Sequence, residues 1–277
     1  MNINCKGNLI DLTTPKIMGI LNVTPDSFYD GGRYANEASI LKRAQLMVKE
    51  GAHFIDIGGY SSRPGAKDIS TKEELARVLP VVEMLTGEFP EIPLSIDTFR
   101  SEVAGKCIEA GAAVVNDISA GMKDGNMMSL IGTENVPYIL MHMQGTPQTM
   151  QNNPGYKDLL KELLFFFSER IATARSFGIN DLIIDPGFGF GKTLEHNYEL
   201  LSKLELFHAT EVPVLIGVSR KSMIWKALEV KAEDALNGTS VLHTIALQKG
   251  AHILRVHDVK EAKECITLSQ LLTKEAQ

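Results

Sequence analysis

Leu182-Ile-Ile-Asp-Pro-Gly-Phe-Gly-Phe-Gly-Lys-Thr193 begins as a short apolar run and ends in alternating glycines. Leu182–Pro186 is too short for a helix, and an apolar run closed by Pro and Gly reads as a strand buried on both faces. A helical pattern over Leu194–Phe207 follows it, and a second apolar run, Val214–Ser219, comes next. Strand, helix, strand implies parallel pairing, because each return crossing needs a helix.

The same alternation extends in both directions. Ile17–Val23, Phe54–Gly58, Leu94–Thr98, Ala113–Ile118 and Tyr138–Met143 lie before this unit, and Ile253–Asp258 lies after it. Helical patterns cover Asn36–Glu50, Thr71–Leu85, Lys123–Gly132, Asp158–Phe177, Ala235–Lys249 and Val259–Leu272. The second of these opens with Thr71-Lys-Glu-Glu74, which has the form of a capping box. None of the eight strands is polar or broken by Pro, as an exposed edge would be. The pattern therefore predicts the α/β class and a closed (β/α)8 TIM barrel. No linker, low-complexity tract or charge run divides residues 1–277, so one domain is expected.

The bulk properties narrow the function. With 277 residues, 44% of them hydrophobic, the chain can bury a full core. A formal charge of −6 opposes a generic nucleic-acid binder, and an anionic substrate would need a local cluster of Arg and Lys. Cys5, Cys107 and Cys265 form no CxxC pair and fit a reducing compartment. No signal sequence is read in residues 1–22 and no apolar run approaches eighteen residues, so a cytoplasmic location is expected.

In a barrel, function gathers on the loops after the strands. Those positions carry Asn22, Ser61-Ser62-Arg63, Asp97, Asn116-Asp117, His142, Asp185, Ser219-Arg220-Lys221 and Arg255-Val-His257. Simple contact with water would favour Ser, Asn and Gly there, not so many charged groups inside apolar runs. Arg255 and His257 are two apart on one strand and so share a side, making a cationic clamp where barrels often hold phosphate. The plainer alternative is an Arg255–Asp258 surface pair. Lys221 and Arg63 add positive charge to the same mouth.

Asp97 and Asp185 each end an apolar strand. Two carboxylates across a mouth could act as a glycosidase pair, but sugar sites use aromatic platforms and Trp225 is the single Trp. The preferred reading is that both acids accept hydrogen bonds from a flat heterocycle, with Asn116 serving the same ring edge as donor and acceptor. Met141, at a strand end, can touch that ring, and Gly217 and Val256 are grouped with the substrate-binding positions. Asp56 shares the direction of Gly58 and is read as an interior hydrogen-bonding residue.

The glycine-rich stretch fails as a Walker A loop, since Pro186 stands where its first Gly belongs, and glycines at 187, 189 and 191 fail GxGxxG. It reads instead as a strand-to-helix loop that brings its backbone and Phe188 or Phe190 against a ligand. The loops 22–32 and 58–65 are longer than such connections usually need and have the character of lids. No Asp/Glu/His cluster suits a tight structural metal. Any metal is better read as Mg2+, with Asn22 as one ligand and phosphate oxygens as others.

Taken in order, Met18-Gly-Ile-Leu-Asn-Val-Thr-Pro-Asp-Ser-Phe28, Asp56-Ile-Gly-Gly59, Ser62-Arg-Pro-Gly65, Ser95-Ile-Asp-Thr98, Val115-Asn-Asp-Ile118 and Met141-His-Met143 resemble the dihydropteroate synthases, the folate-pathway enzymes inhibited by sulfonamides. Asp185-Pro-Gly-Phe-Gly-Phe-Gly-Lys192, Ser219-Arg-Lys-Ser222 and Arg255-Val-His-Asp258 complete a likeness that spans almost the whole chain. Members are similar barrels, commonly homodimers, that join 6-hydroxymethyl-7,8-dihydropterin diphosphate to p-aminobenzoate and release diphosphate. The resemblance implies that Asp97, Asn116, Asp185 and Lys221 hold the pterin, that Asn22 binds Mg2+, and that Arg255 and His257 take the diphosphate with Arg63 assisting. It also implies that Ser62, Pro64, Phe190 and Ser222 line the arylamine pocket. The chain departs from many members at Tyr60, where they have Glu, and at Ser62, where they have Thr.

Two other functions compete. A corrinoid-linked methyltransferase of similar barrel type would share the acid and amide contacts but has no use for a diphosphate clamp. A non-catalytic pterin-binding paralogue would not need Asn22, Arg63, Lys221, Arg255 and His257 together.

Overall fold

The computed structural model describes residues 1–24, 32–61, 68–150 and 154–274. An antiparallel hairpin, β1 (Asn2–Cys5) with β2 (Asn8–Asp11), precedes the barrel and had no counterpart in the expected pattern. Eight parallel strands then follow in one sheet: β3 (Lys16–Asn22), β4 (Phe54–Gly58), β5 (Leu94–Asp97), β6 (Val114–Asp117), β7 (Tyr138–Met141), β8 (Leu182–Asp185), β9 (Leu215–Ile216) and β10 (Ile253–Val256). Neighbours pair in chain order from β3 to β8, and β10 joins β3 to β9. A parallel bridge between Ile184 and Val214 closes the ring. The eight expected strands are all present, in a TIM barrel.

β9 is far shorter than Val214–Ser219 because the chain turns away after Ile216. Lys221 N–H donates to Val218 O at 3.1 Å, and Arg220 takes φ +54°. The helices are α1 (Gly32–Glu50), α2 (Thr71–Glu88), α3 (Ser101–Glu109), α4 (Met127–Glu134), α5 (Leu159–Ser176), α6 (Leu194–Ser202), α7 (Ser222–Trp225), α8 (Leu236–Gln248) and α9 (Val259–Lys274). A 3₁₀ segment, Leu204–Thr210, replaces the end of the helix expected to reach Phe207. The cap of α2 is Ser70, whose hydroxyl accepts from Glu73 N–H, so the Thr71 capping box is corrected by one residue. A true capping box occurs at Thr193 and His196.

A period of two along each strand separates the core into two parts. Ile17, Ile55, Ile57, Ile96, Val115, Leu140, Ile184, Ile216, Leu254 and Val256 point outward into the layer shared with the helices. Met18, Phe54, Val114, Ile139, Ile183, Leu215 and Ile253 point inward and fill the lower barrel, where Ile3, Cys5 and Leu12 from the hairpin region join them. That plug makes the barrel a packed core, not a pore. Of the triple Phe run, Phe167 is fully buried on α5, whereas Phe165 is 64% exposed. All three cysteines are free and buried.

Candidate active site

Two residues further up most of the strands the inward-facing side chains change character. Above Phe54, Val114, Ile139, Ile183, Leu215 and Ile253 come Asp56, Asn116, Met141, Asp185, Gly217 and Arg255. The register aligns this layer, since Asn22 lies opposite Gly58, Gly58 opposite Asp97, and Asp97 opposite Asn116. Met141 lies opposite Asp185. The apolar plug below excludes water from one side, so polar groups on this rung face a low-dielectric floor and an open mouth.

Arg255 is the electrostatic centre. Its Nε donates to Asp56 Oδ2 at 2.6 Å and its Nη2 to Asp97 Oδ2 at 2.7 Å. Asn116 Nδ2 donates to the same Asp56 oxygen at 3.0 Å. Burial works against the guanidinium charge, yet Asp56 and Asp97 together hold Arg255 above its ordinary value. Burial raises the Asp97 carboxyl well above the usual range, against the pull of Arg255. Asp56 Oδ1 is buried and has no hydrogen-bond partner among the described residues. Asp258 takes no part here, because it is paired with Arg220 at 2.8 and 3.0 Å. The Arg255–Asp258 alternative is thereby set aside.

On the other side of the mouth, Asp185 Oδ1 accepts Gly187 N–H at 2.8 Å, and burial raises its carboxyl against the attraction of Lys221. Lys221 Nζ donates to Phe188 O at 2.5 Å and sits 4.7 Å from the centre of the Phe190 ring. Burial pushes the Lys221 ammonium down to about 8, with Asp185 opposing. Gly217 marks the meeting point of the two halves. A Cβ there would lie 3.7 Å from Lys221 Nζ, 3.8 Å from Asp185 Oδ2 and 4.0 Å from Arg255 Cβ. Asp185, Lys221 and Arg255 therefore meet at one place in the barrel mouth. Asn22 belongs to its rim, since a Cβ on Gly58 would lie 3.5 Å from Asn22 Oδ1 and 3.7 Å from Asp97 Oδ2.

Several expected members fall elsewhere. Val256 turns its side chain into the barrel–helix core, because it is one residue out of phase with Arg255. It is not a substrate-contacting side chain. His257 follows the last strand residue, and its Nδ1 and N–H both meet Ser219 Oγ at 3.2 Å. Asp117 faces outward and holds Ser119, Gly121 N–H and the Tyr138 hydroxyl, a structural task. Ser222 opens α7 directly after Lys221 and is half-buried. Ser62, Arg63 and Pro64 lie outside the described residues, as does most of the loop after Asn22.

Tyr60, the departure two residues past β4, is held by its neighbours. Its ring meets Phe99 edge-on at 5.1 Å, the Arg100 guanidinium lies 5.3 Å from its centre, and its hydroxyl accepts from Gln148 Nε2 at 3.0 Å. Arg100 is itself anchored on the fully buried Glu74 and on Ile69 O. Sequence reasoning missed an apolar cluster around Met141, made by Ile118, Met143 and Met150 with Phe99 and Phe190 packed against it. The Met141-His-Met143 alternation was its one available signal.

The glycine loop after β8 is tightly specified. Gly187, Gly189 and Gly191 have φ of +73°, +78° and +61°, and a Cβ on Gly187 would fall 1.9 Å from His142 O. Strain in the left-handed region and a backbone overlap act together at Gly187. Gly187→Ala is expected to cost about 3 kcal/mol of stability or to displace the loop. Thermal unfolding of the variant measures the first outcome, and lost ligand binding in a folded variant reports the second.

Residues 18–257 match the family described as pterin binding enzyme. The chain is 46% identical over 268 residues to a protein of Escherichia coli (strain K12) named dihydropteroate synthase, covering 96% of this chain and 94% of that one. It is 44% identical over 259 residues to a dihydropteroate synthase of Synechocystis, covering 92% and 89%. Among solved structures, a Yersinia pestis dihydropteroate synthase in a sulfonamide drug complex matches with a TM-score of 0.93 at 44% identity, covering 99% of this chain and 100% of that one. A Xanthomonas albilineans dihydropteroate synthase with 4-aminobenzoic acid matches with a TM-score of 0.92 at 39% identity, covering 98% of each.

Proposed function

The chain belongs to the pterin-binding enzymes and acts as a dihydropteroate synthase, a transferase of folate synthesis, and from that premise we propose how its barrel mouth performs the reaction. The substrates are 6-hydroxymethyl-7,8-dihydropterin diphosphate and p-aminobenzoate. One observation carries the assignment of roles: Asp97, Asn116, Asp185, Lys221 and Arg255 share a single polar layer above an apolar plug. The acids and Asn116 accept and donate along the edge of the pterin, while Lys221 offers its ammonium to the ring beside Asp185. Met141 and the apolar cluster around it supply a face for the bicycle, and Gly217 leaves room for it.

Arg255 joins the two ends of the substrate. Asp56 and Asp97 engage its Nε and Nη2, and its remaining N–H groups are available to the leaving diphosphate with His257 and Arg63. The bond from the pterin methylene carbon to the diphosphate oxygen breaks with its electrons leaving on diphosphate, the ring nitrogens stabilise the cation, and the arylamine nitrogen then bonds to that carbon. The amine then sheds a proton. An arylamine is neutral at pH 7 and already nucleophilic, so the site needs no strong base. Its task is to orient the reactants and to neutralise the departing charge. Ser62, Pro64, Phe190 and Ser222 line the arylamine side in this reading.

Mg2+ fits the rim as a guest of the substrate and not of a protein cage. Asn22 Oδ1 is an oxygen ligand within reach of the Asp97 side of the mouth, suited to a hard cation. Bound there with phosphate oxygens, the ion would offset leaving-group charge. The reading also includes a homodimer and a cytoplasmic enzyme; among the described residues no helix is long and apolar enough to cross a membrane.

Mixing the protein with the dihydropterin diphosphate, p-aminobenzoate and Mg2+ should yield dihydropteroate and diphosphate in equal amounts. Chelating the metal should lower the rate by about a hundredfold, the scale of losing one electrostatic partner of a leaving group. Diphosphate release that is indifferent to p-aminobenzoate would contradict the coupling, and product formed at full rate in excess chelator would remove Mg2+ from the scheme.

A further inference from the structure

Lys192 is a buried cation that the reaction described above does not use. It is 3% exposed, and its Nζ meets Gly187 O at 3.0 Å, Phe190 O at 3.2 Å and His142 Nδ1 at 3.1 Å. Three acceptors match the three protons of an ammonium. Burial lowers its pKa to about 7, opposed by Asp185 and reinforced by Lys221. His142 is held far down, at about 3, by burial and by the neighbouring Lys192, so its Nδ1 serves as a neutral acceptor. A residue kept in so unfavourable a place has to stabilise something specific.

That something is the loop 187–191. With three glycines in the left-handed region, the loop turns two of its carbonyls onto Lys192 and a third, from Phe188, onto Lys221. Its N–H groups go the other way: Gly187 to Asp185 Oδ1 at 2.8 Å and Gly189 to Asn197 Oδ1 at 2.7 Å. The Tyr156 hydroxyl donates to Gly191 O at 2.8 Å and secures the far end. One short loop therefore sets the Asp185 carboxylate, the Lys221 ammonium and the Phe190 ring relative to one another. Lys192 is the group at its centre.

We infer that Lys192 is a positioning residue for the pterin-holding pair, acting through the carbonyls of the glycine loop on Lys221 and Asp185. The inference rests on the pterin reading of the site. Lys192→Met keeps much of the length and loses every donated hydrogen bond, whereas Lys192→Gln retains an N–H donor. A double-mutant cycle with Lys221→Ala separates positioning from general support of the fold. Binding of the dihydropterin diphosphate is measured for wild type, both single variants and the double variant, with thermal unfolding recorded for each.

Lys192→Met should weaken binding by about tenfold in the wild-type background and by less than about threefold once Lys221 is gone. Lys192→Gln should recover part of the loss, and it replaces Lys192→Met in the cycle if that variant does not fold. Equal factors in both backgrounds, or a loss of thermal stability with wild-type affinity, would overturn the inference while leaving the pterin reading intact. Wild-type protein that does not bind the dihydropterin diphosphate would overturn both.

Discussion

Arg255→Ala should lower kcat/KM for the dihydropterin diphosphate by about a thousandfold, the upper range for removing one preorganised electrostatic donor. Two losses combine in this variant. In the proposed mechanism the leaving diphosphate loses a cationic donor, and Asp56 and Asp97 lose the cation that each meets within 2.7 Å. Asp56 is fully buried and already has one oxygen without a partner among the described residues, so the residual carboxylates are poorly served. Breaking a buried ion pair from one side costs about 3–5 kcal/mol, and the 18% exposure of the Arg255 side chain points to the lower end. Unfolding by denaturant should show that shift alongside the kinetic defect.

Arg255→Lys refines the result. A lysine keeps the charge but cannot span two carboxylates and a phosphate at once, so it should recover more stability than activity. Turnover of Arg255→Ala close to wild type would remove this group from the mechanism.

The second large effect concerns Asp185. Its two oxygens have separate tasks: Oδ1 accepts the Gly187 N–H, and Oδ2 lies beside Gly217 on the side of Lys221. Asp185→Ala removes both and should weaken pterin binding by about a hundredfold, as expected for an unpaired buried charge partner. Lys221, already pushed down by burial to about 8, loses its opposing carboxylate and should fall further. Asp185→Asn keeps an acceptor for the loop while losing the charge. It should bind pterin almost as poorly as the Ala variant, yet unfold near the wild-type temperature. Calorimetric titration with the dihydropterin diphosphate measures the affinities. An Asn variant with wild-type affinity would assign Asp185 to loop support alone.

Much of this site could be read from the chain because barrel geometry is periodic. On several strands the inward position is apolar low in the barrel and polar two residues later, as in Ile183 and Asp185 or Ile253 and Arg255. A polar residue closing an apolar run is visible in one dimension. Val256 shows the limit, because its place in a motif outweighed its phase on the strand. Ser70 replaced Thr71 as the helix cap because adjacent hydroxyls both satisfy the pattern and only backbone geometry chooses between them. The hairpin that helps plug the barrel floor was missed, since its strands, Asn2–Cys5 and Asn8–Asp11, are short and largely polar.

The linear chain was sufficient to determine the alternation of strands and helices, the closure into eight units, and the set of polar residues at the mouth. These follow from local periodicity and from the rule that parallel strands need helical crossings. Tertiary structure alone decided which of those polar residues touch. Arg255 bonds to Asp56 across 199 positions and to Asp97 across 158. Lys192 lies inside the loop 187–191 because three left-handed glycines turn its carbonyls inward. Such contacts depend on register and shear around a closed ring, quantities that no stretch of sequence contains by itself.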